Sequence, residues 1–103
     1  MKWGPIFWNF LHTLSATYPK YPSREDKICM MQFFSILPNI LPCKLCKDHC
    51  RSFLENNSRY FSTAVLSQEN LFEFFWAFHN HVNQNLGKPV VSLNFAKKLY
   101  ELA

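Results

Sequence analysis

Residues 67–87, SQENLFEFFWAFHNHVNQNLG, read as one long helix, and that reading decides the fold. Ser67-Gln68-Glu69-Asn70 starts it, and Gly87 ends it as a C-terminal cap. Its second half mixes apolar and polar residues on one side. His79 and Asn83 are i, i+4 neighbours, Asn80 and Asn83 are i, i+3 neighbours, and Phe75 and Leu86 flank them. Polar groups on a buried face need partners. Either these side chains end a helix in water, or they converge on an extended ligand with flat faces and hydrogen-bonding edges.

The rest of the chain follows the same grammar. Only two glycines occur and six prolines punctuate the sequence, as suits helices joined by short turns. Pro5 opens a first helix, tolerated early because its missing N–H costs nothing there. Phe7, Leu11 and Leu14 lie on one face, with Trp8 and His12 one step round, and the helix ends before Tyr18-Pro19. Ser23 followed by Asp26 is a capping box for a second helix running to about Leu37, with Ile28, Met31, Phe34 and Leu37 on its apolar face. Pro38 and Pro42 break it, and a third helix begins at Cys43 and fades at Glu55-Asn56-Asn57-Ser58. A polar, irregular segment is expected from there to Ser67, and a last helix from Asn94 to Leu102. The expected fold is all-α: one domain over residues 1–103, a four-helix bundle plus a short fifth helix.

Composition narrows the function. The formal net charge is +4, but no run of four or more basic residues occurs, so a nucleic-acid partner is not expected. No apolar stretch is long enough for a membrane span, and no secretory leader is read at the start. Aromatic residues make up 17% of the chain, so either the core is built from large rings or some rings line a flat ligand.

Cys43-Lys44-Leu45-Cys46, directly after Pro42, is the stretch that carries chemistry. A CxxC pair closes a small disulfide or binds a metal, and the unpaired N–H groups and positive dipole of a helix start favour a thiolate. Cys43, Cys46 and Cys50 share one face with His49 beside it, so a zinc site with His49 or Cys29 as the fourth ligand is an alternative. One helix cannot surround a tetrahedral ion, which weighs against it. For Cys29 and Cys50 alone, the expectation is a small buried apolar side chain. A module that binds a partner helix through its aromatic faces is a third reading.

The pattern Gly4-x3-Trp8-x3-His12, Tyr18-Pro19, Cys43-x2-Cys46 and His79-Asn80-x-Val82-Asn83-x2-Leu86-Gly87-Lys88-Pro89 resembles the Erv/ALR sulfhydryl oxidases over nearly the whole chain. The resemblance implies an FAD-dependent thiol oxidase with the cofactor held between helices. It implies that Cys46 sits against the flavin ring and passes electrons to it, and that Cys43 exchanges with the substrate dithiol. It implies cofactor contacts from Gly4, Trp8, His12, Tyr18, Cys46, His79, Asn80, Val82, Asn83, Leu86, Lys88 and Tyr100, with Lys97 near the pyrophosphate. A thioredoxin-like or CxxC-containing protein would be the substrate, molecular oxygen the acceptor and hydrogen peroxide the product. Family members usually dimerise through the first two helices, and Phe7, Leu11, Met31 and Phe34 would suit such an interface. Cellular members carry a second, structural disulfide where this chain has Glu55 and Leu93, and an extra shuttle pair that this chain lacks. That minimal form resembles the versions of large cytoplasmic DNA viruses, which implies work in a host cytoplasm within a viral disulfide-forming pathway.

Overall fold

In the computed structural model, which describes residues 3–102, six helices follow one another: α1 (Trp3–Ala16), α2 (Arg24–Ile40), α3 (Lys44–Asn56), α4 (Ser58–Ala64), α5 (Gln68–Asn85) and α6 (Leu93–Leu99). No strand occurs among the described residues. The all-α expectation stands, with one helix more than was read from the sequence.

Helix α5 is the axis of the molecule, with α1, α3, α4 and α6 all packed against it and α2 against α3. Its start is fixed by Ser67, whose Oγ accepts the Asn70 N–H. It ends in a Schellman motif: the Gly87 N–H donates to Gln84 O, the Lys88 N–H donates to Asn83 O, and Gly87 supplies the positive φ of 70°. Leu71, Phe72, Phe74, Phe75 and Phe78 of α5 are buried. Phe34 of α2 reaches between them, stacking on Phe75 and meeting Phe61 and Phe74 edge-on. The chain's aromatic excess therefore goes largely into the core.

Three boundaries differ from the sequence reading. Helix α2 passes through Pro38 and ends at Ile40. The ladder bond lost at Pro38 is offset by burying its ring beside Leu37, and the helix stops where Pro42 forces Leu41 into extended backbone, ψ 146°. The segment expected to be irregular forms α4, because Tyr60 and Phe61 pack on Phe74 and Ala64 is fully buried. Helix α6 starts and ends earlier than expected, capped by Ser92, whose Oγ accepts the Phe95 N–H. The capping box at Ser23 and Asp26 is present as read.

Of the proposed interface residues, Leu11 and Phe34 are core, 0% and 1% exposed, and cannot meet a second subunit. The outward large apolar residues are Ile6 and Phe10 of α1 and Ile28, Met31, Ile36 and Ile40 of α2.

Candidate active site

A cavity of about 450 Å3 opens between α1, the start of α3, the end of α5 and Tyr100 after α6. That is the size range of small-molecule sites, about 300–1,000 Å3. Each element brings its own chemistry. From α1 come Gly4, Phe7, Trp8 and Asn9; from α3, Leu45, Cys46 and His49; from α5 and its cap, Phe78, His79, Val82, Asn83, Leu86 and Lys88.

The cysteine pair stands at the start of α3. Cys43 and Cys46 are joined in a disulfide. Cys43 is the N-cap of α3, and its Sγ accepts the Cys46 N–H at 3.1 Å. Negative charge released on that sulfur would therefore meet a helix N-terminus. Cys46 lines the cavity and Cys43 does not, although both are partly exposed. The two cysteines thus differ in surroundings: Cys46 belongs to the cavity wall, and Cys43 caps the helix start outside that wall.

Flat walls stand opposite. Trp8 and His79 stack at 4.0 Å between ring centroids, 8° from parallel. His79 Nδ1 lies 2.9 Å from His12 Nε2. His12 Nδ1 is buried with no partner among the described residues. A bare acceptor there costs less than an orphaned N–H, so the network assigns the proton to His12 Nε2, which donates to His79 Nδ1. His79 then carries its own proton on Nε2. Burial lowers both histidines to about 4; each then feels a second cation-like neighbour, His79 for His12 and Lys88 for His79. Both are neutral at pH 7, and Lys88 brings a formal positive charge to the lining. Tyr100 closes one side. Its hydroxyl is 2.6 Å from Asn9 Oδ1 and its ring lies 5.0 Å from that of His12.

Of the residues singled out in the sequence, Gly4, Trp8, Cys46, His79, Val82, Asn83, Leu86, Lys88 and Tyr100 are brought together in the wall. His12 stands behind His79. Tyr18 is elsewhere: it is buried in the core and its hydroxyl donates to Val65 O at 2.8 Å. Asn80 turns to the other side of α5, with its amide occupied by Val91. Lys97 pairs with Glu69 at 3.3 Å instead of entering the cavity. Trp3, Pro5, Phe7, Asn9, Leu41, Leu45, His49 and Phe78 line the cavity without having been singled out as cofactor contacts. For His49 the signal was available, since it lies on the turn after Cys46 and Leu45. Asn9 is a lone amide whose partner, Tyr100, lies 91 residues away; the others are apolar, and nothing in sequence separates an apolar wall from an apolar core.

The zinc alternative has no support. Cys43 and Cys46 are bonded to each other, Cys50 is 0% exposed in the core, and Cys29 is exposed on α2. No group of three potential ligands could hold a metal among the described residues.

The sequence model of the Erv1 / Alr family matches residues 5–101. The chain belongs to that family. The FAD-linked sulfhydryl oxidase of African swine fever virus (isolate Pig/Kenya/KEN-50/1950) is 31% identical over 102 residues, covering 98% of this chain and 82% of the viral protein. FAD-linked sulfhydryl oxidase ERV1 of Arabidopsis thaliana is 38% identical over 84% of this chain, which spans 44% of the plant protein. A relative from Invertebrate iridescent virus 3 is 35% identical, and the chain spans 66% of its length. The crystal structure of the yeast Erv1 core superposes with a TM-score of 0.86 at 33% identity, over 95% of this chain and 80% of the yeast one. The FAD-binding domain of Erv1 from Saccharomyces cerevisiae gives a TM-score of 0.81.

The cavity's residues fit FAD. Its rings match the parallel Trp8–His79 wall, and its phosphates match Lys88. Asn83 lines the cavity and its side-chain amide makes no hydrogen bond among the described residues, so it is open to pair with a ligand edge.

Proposed function

We propose that this chain is an FAD-linked sulfhydryl oxidase that forms disulfides in partner proteins and delivers their electrons to molecular oxygen. The observation that carries the reading is the division of one disulfide between two surroundings: Cys46 lines a cavity suited to FAD and Cys43 does not.

The chain's own steps follow from that division. A thiolate of the partner attacks Cys43 Sγ, breaking the Cys43–Cys46 bond and forming a mixed disulfide. Cys46 leaves as a thiolate at the cavity wall. A second partner thiolate attacks the partner's sulfur, releases Cys43 and completes the partner disulfide. The partner has lost two electrons and two protons, and the Cys43–Cys46 pair has gained the electrons. FAD held in the cavity would supply the two-electron acceptor chemistry that restores the pair, with O2 as the final acceptor and H2O2 as the product. Trp8 and His79 would hold its rings, Asn83 a polar edge and Lys88 the phosphates. Neutral His12 and His79 add no charge to the cavity at pH 7.

The partner is read as a thioredoxin-like or CxxC-containing protein, and the assembly as a homodimer using Ile6, Phe10, Ile28 and Met31 of α1 and α2, all exposed. Relatives from two groups of viruses support a place in a viral disulfide-forming pathway in the host cytoplasm. No described helix is long and apolar enough to cross a membrane.

The test is the visible absorption spectrum of the purified chain. A yellow protein that bleaches with dithiol in the absence of oxygen, then recovers in air with release of peroxide, is expected. A folded, colourless chain that cannot be reconstituted with FAD would sink the reading.

A further inference from the structure

Helix α5 presents two polar faces, and only one meets the cavity. His79 and Asn83 line it. Trp76 and Asn80, one turn apart, face the returning segment between Gly87 and Ser92. There Asn80 Nδ2 donates to Val91 O at 2.8 Å, and the Val91 N–H donates to Asn80 Oδ1 at 2.9 Å. Trp76 Nε1 also donates to Val91 O, at 2.6 Å. One side-chain amide thus serves both polar groups of one backbone residue, as a neighbouring strand would. No strand among the described residues pairs with Val91.

We infer that Asn80 is a positioning residue whose amide, with Trp76, clamps Val91 and thereby holds Lys88 at the cavity. This deepens the FAD reading above and rests on it. Lys88 sits three residues before Val91 and directly after Gly87, where the chain turns back. Its own N–H donates to Asn83 O at 2.8 Å, anchoring it on the α5 side. The Val91 clamp anchors the other side, and only Pro89 and Val90 lie between. A lysine side chain has no fixed geometry of its own, so its reach is set by where its backbone is held. Both side-chain polar groups of Asn80 are occupied by Val91, so it acts on a cofactor through Lys88 and not by contact.

A double-mutant cycle on FAD affinity tests this. Asn80→Ala is expected to weaken FAD about ten-fold, the scale of one charge-assisted hydrogen bond, and Lys88→Ala by about as much. In the double variant the loss should stay within about two-fold of Lys88→Ala alone. The salt dependence of FAD binding should fall in Asn80→Ala as it does in Lys88→Ala, which a merely destabilised fold would not produce. Additive losses, or an unchanged salt dependence, would overturn the inference. If Asn80→Ala does not fold, Asn80→Asp, which keeps the acceptor for the Val91 N–H and removes the donor, replaces it in the same cycle. Amide exchange at Val91 separates the clamp from the cofactor. Loss of protection in the cofactor-free Asn80 variant supports the clamp, and retained protection overturns it. A wild-type chain that binds no FAD defeats the functional reading and leaves the exchange result to decide the clamp.

Discussion

Cys46 and Cys50 stand one turn apart on the same face of α3, and they are the same residue in opposite circumstances. Cys46 is partly exposed, bonded to Cys43 and set in the wall of the cavity. Cys50 is fully buried, and burial pushes its thiol up to about 12, against a small opposing pull from Arg51. At neutral pH it stays a thiol, and a thiol is neither a nucleophile nor a ready leaving group. A helix advances only about 5.4 Å per turn, yet that step crosses from the molecule's chemistry to its core. Reactivity here is assigned by surroundings, and the variants that follow probe that assignment.

The sharpest break is Cys46→Ser. Without its sulfur there is no disulfide for a substrate to attack and no route into the cavity, so turnover should fall by more than about a thousand-fold. FAD content should be retained, which a flavin spectrum of the purified variant checks. Residual oxidation near the wild-type rate would end the contrast between the two turns. Cys43→Ser is expected to be nearly as severe toward protein dithiols while sparing FAD binding. Normal oxidation of a protein dithiol by that variant would contradict the division of roles between the outer and inner sulfur.

Acid gives an intermediate effect. The folded chain holds His12 and His79 at about 4, below their ordinary value of 6.5. As pH falls from 6.5 to 4 the unfolded chain takes up protons that the folded chain refuses. Stability from these two groups is therefore present above pH 6.5 and is lost on acidification. For a domain of this size the melting temperature should drop by roughly 10 °C or more across that window. His79→Gln should flatten the dependence, because His79 lies within hydrogen-bond reach of His12. An equally steep profile in the variant would show that other groups govern acid unfolding.

How much of this could be read beforehand differs from residue to residue. Ser23 with Asp26, Ser67 and Gly87 announce helix ends through local hydrogen bonding, and the structure honours each one. Pro38 misleads, because the burial that offsets its lost hydrogen bond is a tertiary fact. Helix α4 hides because Tyr60, Phe61 and Ala64 are scattered among polar residues and find their reason only against α5. Asn80 and Asn83 are close on a helical wheel, and no local rule tells which faces the cavity. The returning segment decides, by offering Val91 to one of them. Cys50 belongs with the legible cases, since a small buried apolar role was the expectation, whereas exposed Cys29 departs from it.

The smallest effects are expected at Cys50 itself, and there two substitutions divide packing from chemistry. Cys50→Ala removes one sulfur from a closed core, and about 1 kcal/mol of stability should go with it. Cys50→Ser keeps the size but buries a hydroxyl, which costs about 1–3 kcal/mol if it finds no partner. The serine variant should therefore melt below the alanine one, while both keep kcat within about two-fold of wild type when assayed well below their melting points. The order of melting temperatures tests burial, and the constancy of kcat tests silence in the reaction. A Cys50→Ala protein that folds, binds FAD and yet loses turnover would mean that this thiol takes part in electron transfer. The contrast between the two turns of α3 would then have to be redrawn.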